Sequence, residues 1–486
     1  MRRLRCAVFL VFVGRSLPEA SAQDVPLFTS DFPAEELVAR RDRVSEAIGP
    51  QAVALIQGAP SPSAYLRFRQ TNEFYYLSGL EVPHAYLLLD GSSRRSFLYL
   101  PHRNPNRERG EGKSLSAEDA EEVKKLTGVS GVFGLEAMNE HLSRALLRER
   151  PRPLFTPLAP AEGAATNRDL ALRAVADWTA DPWDGQVSRE ARFLALLKSR
   201  FPGLEVRDLS PVLDGLRLIK SPREVALIRR STRLAGLAIL EAMRSTRPGI
   251  LEQELDGVAK FVFFRNGAQG EAYYSLIASG PNAWYPHYNA GKRRLRDGEL
   301  LLMDFAPDVG YLVSDITRMW PVNGRFSSEQ RALYQFYVAC YRAILKAIRP
   351  GVTHTQAKQE AATAMEKILA GARLAKPTHL KAGADFVKSY RDSAGQGRLG
   401  HFVGMATHDV GADDGPLRPG MVFTIEPALR VPEEQLYIRL EDLIVVGEQA
   451  AEVVSAWLPM DPDEIEKVMR EDGILDRYPA DEVAPR

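Results

Sequence analysis

Two pairs of acidic residues in the second half of the chain lie in patterns typical of buried strands. Asp304 and Asp315 each lie within an apolar run. A carboxylate buried without a partner costs several kcal/mol or takes up a proton, so we expect a compensating charge nearby. A hairpin that turns between Val309 and Gly310 would place the two carboxylates directly opposite each other. Like charges opposed at a Cβ separation of about 5 Å are destabilising unless a cation lies between them.

The second pair repeats this arrangement. Glu426 ends one strand pattern and Glu441 lies in the next, and a turn between Glu433 and Glu434 would make them opposite. His401, within a short apolar segment between two glycines, could join them. Four carboxylates and one imidazole suit Mn²⁺, Co²⁺, Fe²⁺ or Zn²⁺, and their number suits two ions about 3.5–4 Å apart.

Each of these residues alone is more often a surface or salt-bridge residue than a metal ligand. A repeated context favours the metal site. Arg-Pro-Gly at 247–249 recurs at 349–351, and Leu-Arg-Asp-Gly at 295–298 is echoed by Leu-Arg-Pro-Gly at 417–420. One acidic residue of each pair follows the second motif at the same distance. Two matches in the same order indicate a duplicated α+β unit, with the candidate site in the cleft between its halves.

The elements that must position these residues begin with a strong helix signal. Ser221 to Glu224 combines a capping box with proline at the first helical position, and the apolar spacing continues to the Arg-Pro-Gly motif. A second helix is predicted at 252–265. Earlier in the chain, 51–56 and 85–89 are typical of buried strands, and the polar segment 103–120 is interpreted as a loop.

Length and composition exclude several classes of protein. With 486 residues, at least two domains are expected. Lys plus Arg and Asp plus Glu both number 63, so the net charge of +0 excludes a globally basic nucleic-acid binder and no nucleic-acid partner is predicted. The two cysteines exclude a disulfide framework or a cysteine-rich metal site.

The N-terminus has the pattern of a secretory signal over residues 1–22. Arginines at positions 2, 3 and 5 precede an apolar stretch and an Ala-Ser-Ala cleavage pattern. The stretch is too short to span a bilayer, so no membrane span is predicted. We expect an exported protein, periplasmic or secreted; the alternative is a cytoplasmic chain with a mis-assigned start.

The strings LLLMDFAPDVGYLVSDITRMW, GHFVGMATHDVG, GMVFTIEPAL and IRLED, with RQTNEFYYLSGL and IKSPREV earlier, resemble one family closely. They are similar to the Xaa-Pro aminopeptidase (aminopeptidase P) and prolidase branch of the M24 pita-bread metallopeptidases. The resemblance covers about 28–469. It implies an α+β protein: an N-terminal α/β domain at 28–211, a duplicated pita-bread catalytic domain at 215–469 and a C-terminal tail at 470–486.

The resemblance also implies the ligands of two divalent ions, with Mn²⁺ the first choice and Co²⁺, Zn²⁺ or Fe²⁺ as alternatives. Asp304 would bind one ion, Asp315 and Glu441 would bridge both, and His401 and Glu426 would complete the second. A hydroxide bridging the ions would attack the scissile carbonyl.

Further roles follow from the same resemblance. Glu426 would accept the proton, His287 would contact substrate, and His408 would support the tetrahedral intermediate. Arg439, beside the bridging glutamate, would orient the ligands. The chain departs from the family where Gly397 replaces a frequent histidine, and where it has Glu-Pro-Ala-Leu-Arg, ending at Arg430, in place of Glu-Pro-Gly-Leu-Tyr.

The leading hypothesis is a metal-dependent aminopeptidase that removes the residue preceding proline from peptides with proline at the second position. A prolidase, cleaving only Xaa-Pro dipeptides, shares the metal site and stays open. A pita-bread binding protein without catalysis, and a creatinase-like hydrolase without metal, are disfavoured because all five ligands are present. The resemblance also leads us to expect a homo-oligomer, either a dimer or a tetramer.

Overall fold

The computed structural model describes residues 31–478, apart from 64–65, 148–150, 165–167 and 412–413. The predicted signal at 1–22 lies outside the described residues, as does the end of the predicted tail. The described part folds into an N-terminal α/β region and a larger α+β region, which confirms the predicted fold class. None of the helices in this part combines the length and apolar character that crossing a membrane requires.

The N-terminal region is built around one mixed sheet of six strands. Its strands are β1 (Val53–Gln57), β2 (Tyr86–Asp90), β3 (Arg95–Leu100), β4 (Gly131–Gly134), β5 (Leu154–Thr156) and β6 (Val206–Asp208). Its helices are α1 (Ala34–Ile48), α2 (Asn72–Ser78), α3 (Pro105–Glu111), α4 (Ala120–Thr127), α5 (Met138–Leu146), α6 (Arg168–Ala180), α7 (Arg189–Arg200) and α8 (Ser210–Leu218). The order is β4-β3-β2-β1-β5-β6, with β1–β2 and β2–β3 antiparallel and the other pairs parallel.

Two predictions for this region concern segments that form helices in the structure. The segment 103–120, interpreted as a loop, contains α3, so that interpretation was wrong. Asn104 caps this helix by accepting hydrogen bonds from the backbone N–H groups of Asn106 and Arg107. Helix α8 spans the junction between the domains predicted at 28–211 and 215–469, and those limits stay predictions.

The C-terminal region contains ten strands in the described residues. They are β7 (Gly270–Glu271), β8 (Leu276–Ser279), β9 (Leu300–Phe305), β10 (Pro307–Asp308), β11 (Ile316–Pro321), β12 (Val422–Ile425), β13 (Ala428–Val431), β14 (Leu436–Arg439), β15 (Asp442–Val446) and β16 (Ala451–Val453). The helices are α9 (Pro222–Ser245), α10 (Glu252–Arg265), α11 (Ser328–Ala347), α12 (His354–Gly371), α13 (Pro377–Asp392), α14 (Pro462–Val468) and α15 (Ile474–Arg477). The capping box at Ser221 begins α9 as predicted.

The duplication predicted from the repeated motifs is visible in the backbone. In the first half, Gly249 N donates to the carbonyl of Leu295 at 2.8 Å. In the second half, Gly351 N donates to the carbonyl of Leu417, also at 2.8 Å. Each half therefore uses its two motifs in the same way, joining the end of a long helix to the start of a strand. Each half then continues into an antiparallel pair, β9–β11 and β12–β15.

The two strand pairs test the predicted registers, and only one prediction is confirmed. In the second half, β12–β15 and β13–β14 share one register, which sets Glu426 opposite Glu441 as predicted. In the first half, Asp304 pairs with Thr317, so the prediction that it would directly oppose Asp315 was wrong by two residues.

The error in the first register has a local cause. The turn is formed by Gly310 and Tyr311, between the bridged residues Val309 and Leu312. Both central residues have positive φ, +60° and +70°, as a two-residue hairpin turn of type I′ requires. Tyrosine rarely adopts this conformation, so its side chain gives no sequence signal for the turn.

Candidate metal centre

The first hairpin delivers two carboxylates to one side of its sheet. Asp304 is buried in β9, and Asp315 lies just before β11. Asp315 and Thr317 are two residues apart and so share one face of the sheet, and Thr317 is directly opposite Asp304 on the neighbouring strand. The two acids therefore lie diagonally across the β9–β11 pair. The Tyr273 hydroxyl lies 2.5 Å from Asp304 Oδ1 and 2.5 Å from Asp315 Oδ1. Its single proton can satisfy only one of them at a time.

The second hairpin delivers Glu426 and Glu441, and it is joined to the first through Thr317. The backbone N–H of Thr317 donates to the carbonyl of Glu441 at 3.2 Å, and the reverse bond measures 3.1 Å. The Thr317 hydroxyl also donates to Glu441 Oε2 at 2.8 Å. This bridge brings the carboxylates of both halves into one cluster.

His401 enters the cluster from an extended segment beside β12. Its carbonyl accepts a hydrogen bond from Thr424 N at 2.9 Å. The preceding Gly400 allows this approach, because a Cβ there would lie 1.8 Å from the Thr424 carbonyl oxygen. His401 Nε2 lies 3.4 Å from Asp315 Oδ2 and 3.4 Å from Glu426 Oε1.

The structure thus brings together all five residues that the sequence analysis put forward as ligands. Ligand atoms of Asp304, Asp315 and Glu441 lie within 4.8 Å of one another, and so do those of His401, Glu426 and Glu441. A third such group adds His408 to Asp315 and His401.

Negative charge is in excess at this cluster. Arg439 contacts three of the four carboxylates: it pairs with Asp304, lies 3.2 Å from Glu426 Oε2 and 4.0 Å from Glu441 Oε2. Burial raises the pKa of Asp304 to about 7, although the charge of Arg439 opposes this. Burial and the charge of Asp315 raise the pKa of Glu441 well above its usual range.

These properties fit divalent cations. Glu441 Oε1 is buried without a hydrogen-bond partner among the described residues and lies 3.9 Å from His401 Nε2. Carboxylate oxygens with a single imidazole are donors that Mn²⁺, Fe²⁺, Co²⁺ and Zn²⁺ accept. A cation between the two hairpins would offset the repulsion and satisfy the unpartnered oxygen.

His408 and His287 stand next to the cluster. The His408 ring stacks on that of His401 with centroids 3.7 Å apart. Burial and the charge of His401 lower the pKa of His408 to about 4, so it is neutral at neutral pH. His287 lies on an exposed loop, near enough that its charge also lowers the pKa of His408.

A buried ionic network reaches the cluster from the N-terminal region. Asp409, next to His408, accepts from Arg217 Nη2 at 2.5 Å and lies 3.1 Å from Lys220 Nζ. Arg217 also pairs with Glu162, which in turn lies 3.1 Å from Arg168 Nη2. The loop that carries His408 is therefore fixed by charges outside the C-terminal region.

Sequence reasoning missed two residues of the centre, Tyr273 and Thr317. Thr317 could have been found, because it alternates with Asp315 along one strand and shares its face. Tyr273 lies far from both acids in the chain, in a segment with no motif. Its contact with them depends on the tertiary fold.

Comparisons with known proteins match both regions. The model of metallopeptidase family M24 matches residues 226–448, and that of the aminopeptidase P N-terminal domain matches 37–154. The Xaa-Pro aminopeptidase of Escherichia coli is 30% identical over 90% of this chain and 98% of its own length. Human Xaa-Pro aminopeptidase 3 is 29% identical over 82% and 76% of the two chains.

Solved structures agree with these matches. Aminopeptidase P from Escherichia coli with the inhibitor Pro-Leu superposes with a TM-score of 0.72, 28% identity, and coverage of 91% of this chain and 99% of the other. The zinc-substituted form of that protein in complex with product matches with the same TM-score of 0.72, identity of 28% and coverage.

Proposed function

The chain belongs to metallopeptidase family M24 and is a metal-dependent aminopeptidase; from this premise we propose that it removes the residue preceding proline from the N-terminus of peptides. The observation that carries the proposal is the convergence of Asp304, Asp315, His401, Glu426 and Glu441 from both halves of the fold. We propose that they hold two divalent ions, with Mn²⁺ as the native metal. The bond before proline resists ordinary peptidases because proline lacks an amide N–H and fixes φ.

The residues of the centre fit named roles in this hydrolysis. When bound, the two ions would activate a water as the nucleophile and polarise the scissile carbonyl. Burial opposes the ionisation of Glu426, but His401 and Arg439 lower its pKa to about 2, so the side chain is ionised and has an oxygen that can accept a proton. His408, neutral at neutral pH, can donate an N–H to the oxygen of the tetrahedral intermediate. Arg439 holds Asp304 and Glu426 in place, and the exposed His287 can reach the substrate.

The proposal also covers the localisation and the oligomeric state of the enzyme. We propose export through the N-terminal signal at 1–22 and assembly into a homo-oligomer. N-terminal sequencing of the native protein tests the first, since retention of Met1 would contradict it. Light scattering of the purified chain tests the second, where a monomer would contradict it.

The activity is tested with the full chain loaded with Mn²⁺. We expect metal-dependent cleavage of Xaa-Pro-Yaa peptides and no cleavage of peptides without proline. Glu426→Gln should lower kcat by about 10²–10⁴-fold while circular dichroism stays unchanged. The matched control is Glu433→Gln, the same substitution on the exposed tip of the same hairpin, which should retain wild-type kcat.

The outcomes separate the alternatives. Hydrolysis of Xaa-Pro dipeptides alone would establish the prolidase instead. No metal-dependent hydrolysis of any of these peptides would refute the enzymatic proposal, and a wild-type rate in Glu426→Gln would refute the role of that residue.

A further inference from the structure

Arg430 lies on the face of the β13–β14 hairpin that forms the metal centre. Residues of β13 alternate between two faces, and Leu429 and Val431 are buried in the core on one of them. On the other face Ala428 is paired with Arg439, and Arg430 with Tyr437. Arg430 therefore lies one cross-strand pair beyond Arg439, on the same side of the hairpin.

Two aromatic rings hold the Arg430 guanidinium. Its central carbon lies 4.7 Å from the ring centroid of Tyr437 and 5.3 Å from that of Trp284. The side chain is exposed, and Arg430 forms neither an ion pair nor a hydrogen bond with the part of the chain that the structure describes. Stacking fixes the position of a guanidinium while leaving its N–H groups free to bind an anion.

The distance between Arg430 and the candidate metal centre suits a short peptide bound between them. Glu426 and Arg430 are four positions apart along the chain, which is about 13 Å between Cα atoms if the backbone is extended throughout. Ala428, the residue between them on this face, contributes only a methyl group. Three residues of extended peptide span about 10 Å, and the long arginine side chain covers the remaining distance.

We propose that Arg430 binds a carboxylate on the part of the peptide that follows the cleaved bond, and so selects acidic or short substrates. This inference rests on the proposed function. The carboxylate has two sources, the free C-terminus of a tripeptide or an acidic side chain after proline, and the chemistry of recognition is the same. Arg430 is then a specificity-determining residue, separate from the metal ligands.

The test compares kcat/KM for matched peptides with the full Mn²⁺-loaded chain. One pair is Xaa-Pro-Ala with a free or amidated C-terminus; the other is Xaa-Pro-Glu-amide and Xaa-Pro-Gln-amide. We expect at least one acid-to-neutral ratio of about tenfold in the wild type, mostly in KM, and its loss in Arg430→Met. Arg430→Lys should recover part of the ratio, because the charge is kept but the stacking is weaker.

A matched control is available in the N-terminal sheet. Arg95 is also exposed and lies 5.0 Å from the centroid of the Phe97 ring, so Arg95→Met repeats the chemical change far from the centre. It should leave both ratios unchanged. The pair that shows the preference identifies the source of the carboxylate. Ratios near one in the wild type, or ratios unchanged in Arg430→Met, would overturn the inference while leaving the proposed function intact; no hydrolysis of any peptide would overturn both.

Discussion

The two hairpins of the candidate metal centre carry equivalent acidic residues but are held in different ways. The tip of the β9–β11 hairpin lies against the N-terminal region, where the Tyr311 ring stacks on Tyr75 with centroids 3.6 Å apart. The Tyr311 hydroxyl donates to Glu81 Oε1 at 2.7 Å and accepts from Gln70 N at 2.7 Å. Arg69 lies over the same ring at 4.3 Å.

The tip of the β13–β14 hairpin is held by charges at the surface. Glu434 lies 3.1 Å from Lys376 Nζ, and Glu433 lies 2.8 Å from Lys381 Nζ. Lys376 directly precedes α13, and Lys381 lies near the start of that helix. The Lys381–Glu433 pair is exposed to solvent, and the Lys376–Glu434 pair is partly exposed. The tip of the first hairpin thus depends on the preceding domain through a buried aromatic contact, whereas the tip of the second is held by α13 of its own region.

The largest effect is expected where the N-terminal region holds the His408 loop. Arg217→Gln removes the cation that Glu162 and Asp409 share, and leaves these buried carboxylates with Arg168 and Lys220 alone. We expect the free energy of unfolding to fall by about 3–5 kcal/mol in urea denaturation. Arg229→Gln, which breaks an exposed pair with Glu452, is the control and should cost less than about 1 kcal/mol. Equal losses in both variants would contradict a special role for the network.

Tyr311→Phe is expected to have the next largest effect. The ring contact is retained, but Gln70 N loses its acceptor and Glu81 its donor. The free energy of unfolding should fall by about 1–3 kcal/mol. If the tip positions Asp304 and Asp315, calorimetric titration should also show weaker Mn²⁺ binding. An unchanged Mn²⁺ affinity would mean that the contacts of Tyr311 stabilise the fold without positioning Asp304 and Asp315.

The third prediction concerns pH. Burial, and then the charge of Glu162, raise the pKa of Glu73 to about 8. The native state therefore holds a proton between about pH 4.5 and 8 that the unfolded state releases, and the stability from this proton is lost as pH rises through that window. In Glu73→Gln the side chain is neutral at every pH, so this variant does not lose stability through deprotonation in that window. Its unfolding free energy relative to wild type should rise from pH 5 to pH 8, at up to about 1.4 kcal/mol per pH unit. A difference that is constant with pH would contradict this.

The smallest effect is expected at the second tip. Glu433→Gln removes the exposed pair with Lys381, which solvent screens, so the unfolding free energy should change by less than about 1 kcal/mol. The change should shrink further in high salt, and Mn²⁺ affinity should match wild type. A loss as large as that of Tyr311→Phe would show that the two tips are equivalent after all.

The ligands and the second register could be predicted from the sequence because their signals are local. The alternation of apolar residues predicted the strands, and the capping box at Ser221 predicted the start of α9. The repeated motifs showed which segments of the two halves correspond. Glu426 and Glu441 were then placed opposite each other by the position of one turn. These features depend on neighbouring residues, and the chain specifies them wherever it folds.

Contacts between distant segments could be decided only by the tertiary structure. Tyr311 has a positive φ that tyrosine rarely adopts, in the turn that sets the first register, and its ring stacks on Tyr75 of the other domain. Tyr273 reaches two acids, and Arg217 reaches Asp409, across long stretches of chain. The sequence by itself indicated which carboxylates and which histidine form the cluster. The packing of one domain on the other determined how they are held, because such contacts stabilise conformations that local preference disfavours.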